Sequence, residues 1–81
     1  MDVIQATVKE YILEEFLPGV NPAELTETTP LISGAILDSL ATLNLVSYLE
    51  ERFGIEIQPH EASVDWLDTL ADIERLVRSK L

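Results

Sequence analysis

No cysteine occurs in the 81 residues, which excludes disulfides and thiolate metal sites and leaves the redox compartment open. Positive charge is also scarce: 5 Lys and Arg stand against 15 Asp and Glu, a formal net charge of −10. Nucleic acids and anionic membrane surfaces both reward clustered basic side chains, so neither is expected as a partner. An acidic chain gains solubility and is drawn instead toward basic protein surfaces. No apolar run approaches the roughly 20 residues of a membrane span. Met1-Asp2-Val3-Ile4 lacks the basic region of a signal peptide. A soluble cytoplasmic protein is the expectation. Histidine occurs once, and no Gly-rich phosphate loop or Ser-His-Asp set is present. His60 follows Pro59 as a surface residue at a helix start does. Glu14-Glu15, Glu50-Glu51 and Asp65/Asp68 lack the ligand spacing of a calcium loop and read as solvated faces, so no metal site is expected. Intrinsic catalysis has almost nothing to work with.

What is present is a hydrophobic fraction of 47%, enough for a folded core despite the charge. The length fits one domain over residues 1–81, with no room for a deep enclosed active site. Ile4, Val8, Tyr11, Ile12 and Phe16 recur at helical spacing, predicting a first helix over about residues 2–16. Asp2 suits its cap, with Gln5 in capping-box spacing, and Pro18-Gly19 ends it. Residues 17–38 then form a long loop without sustained period, in which Leu25, Leu31, Ile32, Ile36 and Leu37 are too many apolar residues for a free linker. One helical turn is expected near Ala23–Leu25. A second helix runs from about Ser39 to Phe53 and stops at Gly54. Turning about 100° per residue puts Thr42, Leu43, Leu45, Val46, Leu49 and Phe53 on a core arc, with Leu40, Asn44, Ser47, Tyr48 and Glu51 outside it. Gly54-Ile55-Glu56-Ile57 reads as an extended connector with both isoleucines tucked inward. A short helix or turn is expected at roughly 60–64. Thr69 and Asp72 resemble a capping box for a last helix whose buried stripe is Leu70, Ile73, Leu76 and Val77. The expected architecture is all-α: a small four-helix bundle with three main helices, one short helix and a long first loop.

One place remains where chemistry fits. Asp38 and Ser39 meet at the predicted start of the second helix, directly before Leu40. Both residue types cap free backbone N–H groups, so a plain N-cap at Ser39 is one reading. The other is a modification site. No base is at hand to activate the Ser39 hydroxyl as a nucleophile, yet a helix N-terminus suits a phosphodiester there. Asp38 would cap the helix or coordinate a partner's metal during modification.

Thr29-Pro30-Leu31, then Gly34-Ala35-Ile36-Leu37-Asp38-Ser39-Leu40, then Leu49-Glu50-Glu51-Arg52-Phe53-Gly54-Ile55-Glu56-Ile57 closely resemble the acyl and peptidyl carrier proteins. Thr69-Leu70-Ala71-Asp72-Ile73 resembles that family's last helix, so the resemblance spans nearly the whole chain. It implies a carrier-type bundle, monomeric and non-catalytic, with 4′-phosphopantetheine on Ser39, transferred from coenzyme A by a phosphopantetheinyl transferase with magnesium. The arm's thiol would hold cargo as a thioester for downstream modifying or condensing enzymes. In that picture Asp38, Leu40, Asn44, Ser47 and Tyr48 form the partner docking surface, with Glu50, Glu51 and Glu56 around it. Fatty-acid carriers are densely acidic after the serine, whereas Ala41, Thr42, Leu43 and Asn44 follow here. Leu37 before Asp38 is more similar to free-standing aminoacyl or peptidyl carriers of nonribosomal peptide and other natural product biosynthesis. Those are loaded by a separate adenylating acid or amino-acid ligase. The near alternative is an acyl carrier of a polyketide or fatty-acid pathway. A different class, a helical interaction module without a prosthetic group, stays open.

Overall fold

Ile4, Val8 and Ile12 lie one turn apart and are all buried, the stripe that makes Val3–Phe16 a helix, α1. The computed structural model describes residues 3–81, so the expected Asp2 cap lies outside the described residues. The capping box expected between Asp2 and Gln5 lies outside them for the same reason. Gln5 is buried, and its Nε2 donates to Glu74 Oε1 at 2.5 Å. Beyond Phe16, the Leu17 N–H still reaches the Ile12 and Leu13 carbonyls, and Gly19 turns the chain away at φ +85°.

Leu25, Leu31 and Leu37 of the long loop are buried as deeply as any helical side chain, and Ile32 and Ile36 pack partly against them. The expected single turn is a 3₁₀ segment, Pro22–Glu24, capped by Asn21. Two backbone bonds help sew the loop to the other end of the chain. The Ala71 N–H donates to the Glu27 carbonyl at 3.1 Å, and the Leu31 N–H donates to the Asp68 carbonyl at 2.6 Å.

Helix α2 spans Ser39–Phe53 and ends on Gly54 in the left-handed conformation at φ 64°, as expected of a glycine stop. Ala41, Thr42, Leu45 and Leu49 form its buried face. Leu43 was expected there and is instead 59% exposed. The stripe centres nearer Leu45 and Leu49, and at about 100° per residue Leu43 falls more than a quarter-turn from that centre. Tyr48, expected outward, sits at the stripe's edge and turns in to stack on the Tyr11 ring at 3.9 Å. Burial in that stack pushes the Tyr11 hydroxyl above its ordinary pKa.

The extended connector buries Ile57 and half-buries Ile55. The short helix or turn expected at roughly 60–64 is found as a turn, with a helix following it. Pro59 opens a 3₁₀ turn, Pro59–Glu61, which closes on itself through a capping box with Gln58. Ser63 is then extended, and a separate helix α3 runs Val64–Leu67. Helix α4, Leu70–Lys80, carries the expected stripe of Leu70, Ile73, Leu76 and Val77, all buried. Thr69 caps it by accepting from the Asp72 N–H at 3.0 Å. The Asp72 carboxylate pairs with Arg75. Helix α1 packs on α4 and α2, and α3 packs on α4. All-α architecture with three main helices and one short one is therefore observed, with no strand among the described residues.

Two carboxylates hold the non-helical segments. Asp68 is kept below the usual carboxylate range, first by the Ser33 N–H, with the Ser33 hydroxyl and the Ile32 and Leu31 N–H groups adding to it. Glu61 is lowered first by its bond from Lys80, at 2.8 Å, and next by the Gln58 N–H. Folded-state pKa values below the unfolded ones mean stability that is present above the ordinary carboxylate range and lost as pH falls through the depressed values. The expected result is a urea midpoint that drops as pH is lowered from neutrality to below about 4. In Asp68→Ala this acid-side drop should shrink. An equal slope in the parent and Asp68→Ala would remove Asp68 from the account.

Candidate functional site

Asp38 has φ −83° and ψ −173°, extended backbone outside the helix, and its Oδ1 accepts from the Ala41 N–H at 2.8 Å. Its carbonyl accepts from the Thr42 N–H and the Thr42 hydroxyl. The cap of α2 is thus Asp38, and Ser39 is the first helical residue. Among the described residues the exposed Ser39 hydroxyl has no hydrogen-bond partner. A helix's first N–H groups have no carbonyl behind them, so those of Ser39 and Leu40 point out of the helix start beside the hydroxyl. That is where an attached phosphodiester would lie, favoured by the free donors and the positive end of a 15-residue helix.

The loop delivers the chain to this point through tight turns. The Ile36 and Leu37 N–H groups both donate to the Leu31 carbonyl, at 2.9 and 2.8 Å. Ala35 sits in the left-handed region at φ 63°, strain that a non-glycine residue tolerates only where its surroundings over-determine it. At Gly34 a Cβ would come within 2.3 Å of the Pro30 carbonyl oxygen, so no side chain fits.

Beside Ser39 opens a shallow cleft of about 490 Å³ between the loop end, α2 and the start of α3. Leu37, Thr42 and Leu43 line one side of it, and Ala62, Ser63 and Val64 the other. Leu43 and Val64 are 59% and 44% exposed, and Leu40 at the helix start is 68% exposed. From Ser39 to Leu49, α2 carries no charged residue. The cleft beside the serine is thus mixed, with Thr42 and Ser63 among apolar side chains, and Asp38 is the one charged residue in its lining.

The expected docking residues divide. Leu40, Asn44 and Ser47 are exposed on α2. Tyr48 is largely spent on Tyr11, whose hydroxyl donates to the Asn44 carbonyl at 3.3 Å. Glu50 is half-buried and accepts from the Ile57 N–H at 2.9 Å, which makes it a brace for the connector. Glu51 is exposed, but at 1.5 Å of rise per residue it and Glu50 stand roughly 17 Å along α2 from Ser39. Glu56 lies beyond the helix and receives Gln58 Nε2 at 3.3 Å. The structure does not bring the three glutamates to Ser39. It brings Leu43 and Val64, which the sequence reading placed in the core arc or left unassigned. One signal for Leu43 was available: it is four residues from Ser39 and shares its face. Val64 had none, since its position depends on where the short helix starts. Among the described residues no group of His, Asp and Glu is placed to hold a metal ion.

Ser39 thus stands exposed at the start of α2 beside an open cleft. The family profile described as phosphopantetheine attachment site matches residues 7–77, and the chain belongs to that family. It is 35% identical over 72 residues to a protein named acyl carrier protein from Wolinella succinogenes, covering 89% of this chain and 90% of the relative. The prosthetic group is 4′-phosphopantetheine, attached covalently, and the protein is a non-catalytic carrier. The residues present fit such a group: an exposed hydroxyl that could be esterified, free N–H groups for the phosphate, and an open cleft of mixed lining alongside.

Proposed function

We propose that Ser39 is the attachment site, and that the protein holds an amino acid or other carboxylic acid as a thioester for partner enzymes. The observation that carries the attachment site is the division of labour at α2. Asp38 caps the helix, and the Ser39 hydroxyl is left exposed and, among the described residues, unpaired. When bound, the arm supplies a terminal thiol on a long flexible stem. The chain's own residues orient the attachment point and leave it open to a large enzyme. The partners of this reading are a phosphopantetheinyl transferase, an adenylating acid or amino-acid ligase, and downstream modifying or condensing enzymes. It takes residues 1–81 as a single, monomeric, cytoplasmic carrier domain. The neutral stretch from Ser39 to Leu49 supports the aminoacyl or peptidyl subtype.

A second reading, an acyl carrier of a lipid or polyketide pathway, is favoured by the acyl carrier protein name of the Wolinella relative. Intact mass after incubation with coenzyme A, magnesium and a broad-specificity transferase, followed by peptide mapping, tests the attachment site. A modified peptide without Ser39 would overturn it. Separate ligase assays with amino acids and with fatty acids then divide the two readings.

Docking in this reading centres on Leu40 and the exposed apolar rim, where a truncated central side chain commonly costs more than about 1 kcal/mol of binding. Leu40→Ala is expected to lower the transferase's kcat/KM by roughly fivefold or more. Glu51→Lys should change it little, because of its distance along α2. Should Leu40→Ala leave modification and loading rates unchanged, the contact lies elsewhere, for instance on the long loop.

A further inference from the structure

The Asp68 carboxylate lies at the junction of α3 and α4, yet every bond it makes among the described residues goes to the loop that carries the chain to Ser39. Its Oδ1 accepts from the Ile32 N–H at 2.8 Å and the Ser33 N–H at 2.9 Å. Its Oδ2 accepts from the Ser33 hydroxyl at 2.8 Å, and its own carbonyl accepts from the Leu31 N–H. Four donors over three consecutive residues converge on one aspartate. The Leu31 carbonyl, fixed from that side, receives the Ile36 and Leu37 N–H groups, and Asp38 follows directly as the α2 cap. Ile32, held in the same grip, lines the cleft with Ser39.

We propose that Asp68 is a positioning residue for Ser39: its carboxylate clamps residues 32 and 33 to the α3–α4 junction, beside the backbone bond at Leu31, and so fixes the start of α2 and the near wall of the cleft. The inference rests on the reading of Ser39 as the attachment site. It adds that the geometry a transferase meets is set from 29 residues downstream in the chain, by a residue that touches neither the hydroxyl nor the arm. The local strain is consistent with such a clamp. Ala35 keeps its left-handed conformation between two fixed points, the Asp68 grip and the Asp38 cap. Slackening one of them lets the 33–37 turn relax and carries the start of α2 with it.

The chemistry of the bonds separates two substitutions. Asp68→Ala removes the acceptor for all three side-chain bonds. In Asp68→Asn the amide oxygen still accepts from both N–H groups, and the amide NH₂ donates to the Ser33 hydroxyl. A misplaced reacting group costs rate even when the change is remote from it, so Asp68→Ala is expected to lower the transferase's kcat/KM by roughly tenfold. Asp68→Asn should return to within a few-fold of the parent. Ile73→Val, a conservative core substitution in α4 away from the clamp, serves as the control for lost stability and should leave the rate alone.

Backbone amide shifts of the unmodified protein give a readout that needs no transferase. Asp68→Ala should move the amides of Leu37, Ser39 and Leu40, Asp68→Asn should largely restore them, and Ile73→Val should not move them. Perturbation confined to residues 31–33, or an unchanged kcat/KM alongside a modified parent, overturns the clamp. A parent that gains no mass at all overturns the attachment site instead, and the amide shifts then judge the clamp by themselves.

Discussion

Ser39→Ala is expected to abolish attachment of the phosphopantetheine arm completely while leaving the thermal midpoint of the protein where it was. Loss of modification follows if this hydroxyl is the esterified one, since Thr42, the nearest other hydroxyl on α2, is buried and already donates to the Asp38 carbonyl. Retained stability follows from the geometry of the helix start. The cap is Asp38, and among the described residues Ser39 makes no side-chain bond that alanine would forfeit. Alanine is also the best helix former at an exposed helical position. Asp38→Ala should behave in the opposite way. It strips the Ala41 N–H of its acceptor and costs about 1 kcal/mol of stability, as cap removal typically does, while Ser39 stays available for modification. Intact mass and a thermal melt on the two variants give a crossed pattern. A Ser39→Ala protein that still gains mass sinks the attachment site. One that melts well below the parent would show that the serine carries a structural duty after all.

Much of the fold was legible because the strongest signals are periodic or conformational. The stripe of α4 was read without error, since Leu70, Ile73, Leu76 and Val77 repeat at three and four residues behind a Thr69 cap. The bounds of α2 were legible for a related reason: Asp38 before it and Gly54 after it have few other local uses. The errors fall where a side chain's fate depends on what stands opposite. Measured from the buried stripe, Tyr48 lies at its margin and Leu43 well outside it. Tyr11 captures Tyr48, while at Leu43 the cleft leaves the side chain open. Where the stripe is centred is set by the opposing elements, which the α2 sequence alone does not contain. The turn expected after Pro59 is present, but the Gln58 and Glu61 pair closes it after one turn, and the helix that follows over Val64–Leu67 was not read.

The site shows the same division. Asp38-Ser39-Leu40 was visible as a local motif, and its helix start is where the sequence put it. Glu50, Glu51 and Glu56 were grouped with it as lying beside Ser39 and away from the core arc, whereas Glu50 and Glu51 stand far along the helix and Glu50 is bonded to the Ile57 N–H. Asp68 is the reverse case. It reads as one more solvated acid, and only the folded chain brings it to Ile32 and Ser33, 36 and 35 residues away.

Leu31→Ala is expected to cost about 2–5 kcal/mol, the range for deleting most of a fully buried leucine when the cavity cannot collapse. The residue lies in the long loop, where exposed segments usually tolerate change, yet its side chain is 0% exposed. Collapse around it is opposed from both sides, because the Leu31 N–H is bonded to Asp68 and its carbonyl to Ile36 and Leu37. For a domain of this size the total stability is on the order of 4–12 kcal/mol, so the loss is a large fraction of it. The thermal midpoint should fall by something like 10–30 °C. Leu40→Ala, at a side chain 68% exposed, should stay within about 0.5 kcal/mol of the parent. Urea unfolding of the two variants gives the comparison directly. A cost below about 1 kcal/mol at Leu31 would mean that the site repacks freely and the loop is a tether. The larger cost would mean that the segment delivering Ser39 is built into the core, so that the attachment point is held as rigidly as the helices themselves.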